Sequence, residues 1–284
     1  MPALRAFASA LDCVLVVTQP DRPAGRGHKL QPTPVKAAAA ELGIPTFEPE
    51  RLRGAAETLR ACDAALFAVA SYGKIVPQAL LDVPPLGALN VHPSLLPLYR
   101  GATPLQSQLR DGVVASGVTI IRMDAGMDTG DIVLQARSEI APDETYGELH
   151  DRFAALGAEL LAQAVAETAA GTARPVPQAG LASDAEIART LTRPLGKEDL
   201  VVDWSAPAQR VVDLVRSLSP APGARAHLDG EGEAVKILKA RLATSADVDE
   251  LRVTCGDGRS VVIETLVPPN RKAMPGRIYA LAAR

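Results

Sequence analysis

Asn90 and His92 stand two apart in the stretch NVHPSLLPLYR, residues 90–100, just after a short apolar run. In an extended segment, side chains two apart share a face. An amide donor beside an imidazole suits a carbonyl oxygen that is taking on negative charge. A loop-capping histidine and a turn asparagine would leave the same letters, so the pair alone does not decide for chemistry. A second polar stretch, MDAGMDTGD at 123–131, places Asp124, Asp128 and Asp131 among glycines. Its spacing misses the calcium loop, which ends on a glutamate at its twelfth position, and no metal is expected. Asp128 can instead orient a histidine and favour its protonated form. A third stretch, residues 21–36, sets Arg22, Arg26, Lys29, Lys36 and His28 against Asp21 alone. Such a loop can follow phosphates or simply lie solvated at the surface. Its glycines lack the phosphate-loop spacing and no Lys-Ser/Thr pair follows them, yet Gly25 and Gly27 would let it close over a partner.

Those three stretches need a scaffold that alternates buried and covering elements. Apolar runs at 13–17, 64–69, 87–91, 118–122 and 132–136 read as strands. Helices are expected at 3–10, 35–42, 72–81 and 106–111, and a long one at 146–168. In that long helix Leu149, Phe153, Leu156, Leu160 and Leu161 recur every three or four residues. Strands alternating with helices imply an open parallel sheet covered on both faces. In such sheets the site lies beyond the carboxyl ends of the strands. The alternation fades in the Pro-, Gly- and Ala-rich segment 171–180, which reads as a linker. Short strands then follow, with turn signals at Asp229–Gly230 and Asp257–Gly258 and one helix near 207–218. That texture fits a small β-barrel-like domain.

At 284 residues and 47% hydrophobic, the chain has room for two cores. Three cysteines without metal-ligand spacing, Cys13, Cys62 and Cys255, argue against a disulfide framework; Cys13 and Cys62 read as buried thiols. No apolar run is long enough for a span and no leader pattern opens the chain, so a cytoplasmic protein with no membrane partner is expected. Residues 188–284 hold 15 Lys and Arg against 12 Asp and Glu, whereas the rest holds 15 against 21. A mildly basic second domain behind an acidic first one can help hold nucleic acid. His150 and His227 read as structural, and Trp204 as a core or interface residue. GxSxG, HExxH and GxGxxG are absent.

Asn90, His92 and Asp128, at this spacing, resemble the Asn–His–Asp set of the folate-dependent formyltransferases. Within that family the chain is similar to the branch that formylates an aminoacyl-tRNA. The segments TQPDRPAGRGHKLQPTPVK, SYGKIVP, NVHPSLLPLYRGATPLQ, GVTIIRMDAGMDTGDIV and VDWSAPA carry the likeness, which covers almost the whole chain. The resemblance implies a Rossmann-like, mainly parallel α/β domain at 1–172, a linker at 173–189 and an OB-like barrel at 190–284 that tracks tRNA. It implies 10-formyltetrahydrofolate as formyl donor and initiator methionyl-tRNA as acceptor. The catalytic set falls on Asn90, His92 and Asp128, with His92 protonated. Folate contacts fall on Ser71, Tyr72, Gly73, Ser94, Leu95, Leu96, Pro97 and Asp124. Contacts to tRNA fall on Arg22, Arg26, Lys29, Lys36 and Arg100. A monomer is the default expectation.

The chain departs from the family pattern at its start, where an opening strand and GTP-x-F-type turn are expected and a helix stands instead. Ser219-Pro220-Ala221-Pro222 replaces Asn-Pro-Trp-Pro, and the stretch between Leu242 and Leu251 is short. Three other readings remain: a formyltransferase for a sugar-nucleotide or purine-precursor amine, a nucleotide-cofactor oxidoreductase, and a non-catalytic tRNA-binding protein.

Overall fold

A computed structural model describes residues 2–24, 29–228 and 233–282. In chain order the elements are α1 (Pro2–Ala10), β1 (Val16–Val17), β2 (Arg22–Ala24), β3 (Lys29–Gln31), α2 (Pro34–Glu41), β4 (Thr46–Phe47), α3 (Ala56–Ala61), β5 (Phe67–Ala70), α4 (Gln78–Leu81) and β6 (Ala88–His92). Then come α5 (Pro104–Arg110), β7 (Ala115–Arg122), β8 (Ile132–Glu139), α6 (Tyr146–Ala169), α7 (Asp184–Thr190) and α8 (Ala208–Leu218). The chain ends with β9 (Ala224–Ala226), β10 (Val235–Leu242), β11 (Arg252–Thr254), β12 (Ser260–Val267), β13 (Met274–Pro275) and α9 (Gly276–Ala282). Two compact units emerge. One comprises Met1–Gly101, Gly117–Arg137 and Arg152–Leu191; the other comprises Ala102–Ser116, Ser138–Asp151 and Thr192–Arg284.

The first unit is built on the sheet β5-β6-β7-β8. β6 runs parallel to β5 and antiparallel to β7, so the sheet is mixed where a mainly parallel one was expected. Strands buried on both faces show the same unbroken apolar runs whichever way they point, so the runs carried no direction. Helix α6 covers the sheet: its Leu161, Ala164 and Val165 pack with Leu89, Ile120 and Val133. Gly157 allows the close approach, since a Cβ there would lie 2.7 Å from Val91 Cγ1. A second apolar cluster gathers Leu52, Leu59 and Leu80 with Phe47, Phe67 and Tyr72.

Several expected elements are shorter than their apolar runs. Only Val16 and Val17 of the 13–17 run pair, in parallel with Thr46 and Phe47, in a two-stranded sheet of their own. The chain's first strand is therefore a brief one, and β5 is an edge strand, bonded to β6 alone among the described residues. The helix expected over 72–81 shrinks to Gln78–Leu81. Pro77 drives the residue before it out of helical backbone, and Ser71 and Gly73 have positive φ. Arg22–Ala24 and Lys29–Gln31 pair as the antiparallel ribbon β2–β3, and α2 starts at Pro34, capped by Thr33, which accepts from Lys36 N.

In the second unit, β9–β13 form one antiparallel sheet in the order β11-β12-β10-β9, with β13 on β12. The order does not close on itself, which corrects the expected barrel. β9 and β11 are three residues each against eight in β10 and β12, too short to complete a wall. Val211, Val215 and Leu218 of α8 pack with Ile237, Val261, Ile263 and Leu266 of the sheet, and Trp204 lies against this core. The turn at Asp257 and Gly258 joins β11 to β12, with Gly258 at φ 78°. Asp229 and Gly230 lie outside the described residues. Arg241 donates to both oxygens of Asp247 at 2.6 and 2.8 Å, closing the short segment after β10. Ser219–Pro220 and Ala221–Pro222 are cis. Cys255 is buried, but Cys13 and Cys62 are partly exposed, contrary to expectation, because the strand run containing Cys13 pairs only at its end and Cys62 stands just past α3.

Candidate active site

Strand β6 carries the first two residues of interest. Its register sets Asn90 beside Val69 and Ile121, and His92 beside Thr119. The period of two puts Asn90 and His92 on one face, while Val91 turns to α6. The segment 93–101 then leaves the sheet through a cis Leu96–Pro97 bond and returns to touch its own strand. The Tyr99 carbonyl lies 2.9 Å from His92 Nε2, so that nitrogen donates. Ser94 Oγ donates to Leu98 O, and Thr119 Oγ1 donates to Ser94 O while accepting from Leu96 N and Gln135 Nε2.

The loop 123–131 brings the third. It leaves β7 beside Ala88, where Met123 N donates to Ala88 O. Asp124 ties it into a turn by accepting from Gly126 N at 3.0 Å and Thr129 Oγ1 at 2.7 Å. A Cβ on Gly126 would overlap Thr129, and one on Gly130 would overlap the Arg122 carbonyl. Asp128, at φ 56°, then lies with Oδ2 3.5 Å from His92 Nδ1. The same oxygen accepts from Gly101 N at 2.9 Å.

Electrostatically the pair is asymmetric. The His92 side chain is 4% exposed and that of Asp128 18%, so a substrate meets the carboxylate first. Burial is the largest influence on His92 and lowers its pKa below the ordinary value. The Asp128 charge and the Tyr99 carbonyl act the other way, and the Arg100 charge adds to the lowering. Burial outweighs the raising influences, which disfavours the protonated ring, while the acceptors at both nitrogens are the partners a protonated ring would use. Asn90 is half-buried and its amide makes no hydrogen bond to a described residue. Among the described residues Asp128 Oδ1 likewise has none, so beside His92 the Asn90 amide and one carboxylate oxygen stand open.

The other residues singled out in the sequence fall into distinct settings. Ser71–Gly73 follows the end of β5, whose Ala70 pairs with Val91, so that turn shares an end of the sheet with His92. Ser71 and Gly73 are exposed; Tyr72 packs inward, and burial raises its phenol pKa. Ser94, Leu96 and Pro97 are buried and Leu95 partly so, with Leu96 packed on Ile121 and Ile132. Arg22 is exposed on β2, Lys29 takes its place in the backbone of β3, and Arg26 lies outside the described residues. Lys36 Nζ is bound by Glu48 at 2.7 Å and Asp21 at 2.9 Å, which raise its pKa. Arg100 donates from Nε and Nη2 to Gln178 Oε1 at 3.2 and 2.8 Å. Sequence reasoning passed over Gln178, Thr190 and Thr119, which hold these loops. Their polar letters stand alone in a linker, a helix end and a strand, without a pattern. Among the described residues no cluster of three potential metal ligands occurs, and no helix is long and apolar enough to cross a membrane.

Residues 2–165 match the family described as Formyl transferase, and residues 194–283 match Formyl transferase, C-terminal domain. The chain belongs to the formyltransferase family. This formyltransferase is 43% identical over 277 residues to a methionyl-tRNA formyltransferase of Pseudomonas putida (strain W619), covering 94% of this chain and 86% of that one. It is 46% identical over 233 residues to a methionyl-tRNA formyltransferase of Xanthomonas axonopodis pv. citri (strain 306), covering 81% and 74%. Its fold is similar to a crystal structure of an N-formyltransferase from Helicobacter canadensis with folinic acid and dTDP-3-aminofucose, at TM-score 0.65 and 17% identity, covering 92% and 93%.

Proposed function

We propose that this formyltransferase moves the formyl group of 10-formyltetrahydrofolate to the free amino group of methionyl-tRNA, the initiator species. The observation that carries this reading is the 43% identity to a methionyl-tRNA formyltransferase, sustained over 94% of the chain. The donor supplies an activated formyl group. The residues present fit it: one open amide donor and one open carboxylate oxygen stand at the same sheet end as the exposed Ser71–Gly73 turn.

Asn90 donates to the formyl oxygen as charge gathers there. Asp128 Oδ1 accepts the proton released when the amine nitrogen bonds to the formyl carbon. That proton passes on to the nitrogen that the formyl group leaves, so no net proton is consumed. His92, neutral and buried behind the carboxylate, takes a share of the proton through Nδ1. On this reading His92 acts beside Asp128, in place of the protonated donor to the oxygen that the family resemblance implies; its Nε2 donates to the Tyr99 carbonyl and its Nδ1 faces Asp128.

Residues 1–172 are the catalytic part on this reading, 173–189 the connection and 190–284 the part that follows the tRNA backbone. Arg22 and Lys29 on the ribbon, and Arg26 between them in the sequence, would contact the acceptor stem. Acting in translation, the enzyme would work in the cytoplasm, as a monomer. The test is formyl transfer from 10-formyltetrahydrofolate to methionyl-tRNA beside transfer to a dTDP-amino sugar. Transfer to the sugar alone would replace the proposed acceptor.

A further inference from the structure

The segment between the two family matches looks like spacer in the sequence, yet it touches the candidate site at two places. Val176 forms an antiparallel bridge with Ile132, at the start of β8. Two residues on, Gln178 is 3% exposed and has every polar atom of its side chain bonded. Its Nε2 donates to Asp128 O at 2.9 Å and to Gly130 O at 2.7 Å. Its Oε1 accepts both bonds from Arg100. One buried amide therefore ties the loop carrying Asp128 to the segment carrying Tyr99 and Gly101. Farther along, Ser183 and Glu186 form a capping box that starts α7. At the far end of that helix Thr190 Oγ1 donates to Glu186 O and accepts from Tyr99 N at 3.3 Å. Tyr99 is the residue whose carbonyl holds His92 Nε2.

We infer that residues 176–190 are a strap that sets the His92–Asp128 geometry, with Gln178 and Thr190 as positioning residues for formyl transfer. Gln178 fixes the Asp128 side of the pair and Thr190 the His92 side. A glutamine suits the first position because its amide combines two donors for carbonyls with an acceptor for a guanidinium, which among side chains only the amides of Gln and Asn do. The inference rests on the proposed reaction for its kinetic consequence, but its structural content stands without it.

The experiment takes the full chain as wild type and as Gln178→Met, Gln178→Glu and Thr190→Val. Gln178→Met keeps the length and removes all four bonds. Gln178→Glu keeps an acceptor for Arg100 and sets a carboxylate against two carbonyls. In steady-state transfer to methionyl-tRNA, Gln178→Met should lose on the order of 10- to 100-fold in kcat, as small displacements of a reacting group do. The KM for the tRNA should stay within about twofold, because removing an interaction that matters in the transition state leaves ground-state binding intact. Gln178→Glu should fail like Gln178→Met, and Thr190→Val should show a smaller loss of the same kind. The pH profile of kcat should move in each, since Asp128 and Arg100 are the charged groups facing His92. Nitrogen NMR of the imidazole supplies a readout without turnover. The chain has four histidines, and His92→Gln identifies the signal. The His92 Nδ1 shift should move in Gln178→Met. A lowered melting temperature with unchanged kcat, pH profile and Nδ1 shift would overturn the strap. An inactive wild type whose Nδ1 shift still responds to Gln178→Met would overturn the proposed acceptor and leave the strap standing.

Discussion

Gly101 gives its backbone N–H to Asp128 Oδ2 at 2.9 Å. That oxygen also faces His92, which leaves Oδ1 as the open one. A main-chain donor cannot rotate away as a side chain can, so the carboxylate is aimed by backbone geometry. Gly101 sits at φ 111°, a conformation open to glycine and strained for other residues by about 1–3 kcal/mol. Gly101→Ala should relax that strain by moving the N–H. The expected result is a kcat lowered on the order of tenfold in single-turnover transfer, with the circular dichroism of the folded chain retained.

Asn90 has a simpler test. It offers the amide left open on the face of β6 that His92 shares. Asn90→Ala removes one donor to the developing oxygen charge and should lower kcat by about 10²–10³-fold. Tight binding of methionyl-tRNA should persist in a filter or gel-shift titration. A loss of binding equal to the loss of rate would move Asn90 from transition-state stabilisation to acceptor recognition.

The buried imidazole has a thermodynamic signature. Burial, the largest influence, sets the folded pKa of His92 below its unfolded value of about 6.5. A depressed histidine contributes stability in full above the unfolded pKa and loses it as pH falls through the folded one. Melting temperature should therefore decline as pH falls below about 6.5. The same scan of His92→Gln should decline less over that window. Parallel curves would place the neutral form of His92 in doubt.

Lys36 and Arg22 were grouped by charge in the sequence and separate in the structure. Lys36 clamps Asp21, at the foot of the β2–β3 ribbon, to Glu48 just beyond β4. Its charge is answered twice over, while Arg22 is exposed. Arg22→Ala should reduce the slope of log binding constant against log salt for methionyl-tRNA by about one. Lys36→Met should leave that slope unchanged and make the ribbon more open to limited proteolysis.

Much of this was legible in the letters, for a physical reason. Periodic burial places Leu149, Phe153 and Leu161 on α6, and the period of two places Asn90 with His92; both patterns are written locally. Strand direction is not local, so β7 could be located but not oriented. Nor is closure of a sheet, which depends on how far β9 and β11 extend rather than on their turns. The spacing of Asn90, His92 and Asp128 said nothing of the Tyr99 carbonyl, which takes the hydrogen bond of His92 Nε2. A backbone acceptor has no letter of its own. Gln178 stayed hidden for a related reason: its four partners are two carbonyls and two nitrogens of one arginine, and only the last has a side chain to read.

The one-sided pairing of β5 has a kinetic consequence. Phe67 N donates to Gly87 O, which turns the amides of Phe67 and Val69 toward β6 and those of Ala68 and Ala70 away from it. Hydrogen–deuterium exchange along this strand should alternate, slow at Phe67 and Val69 and fast at Ala68 and Ala70. The strand leading into the Ser71–Gly73 turn would thus be held like a zip fastened along one row of teeth, rigid toward the chemistry and exchanging freely on its back.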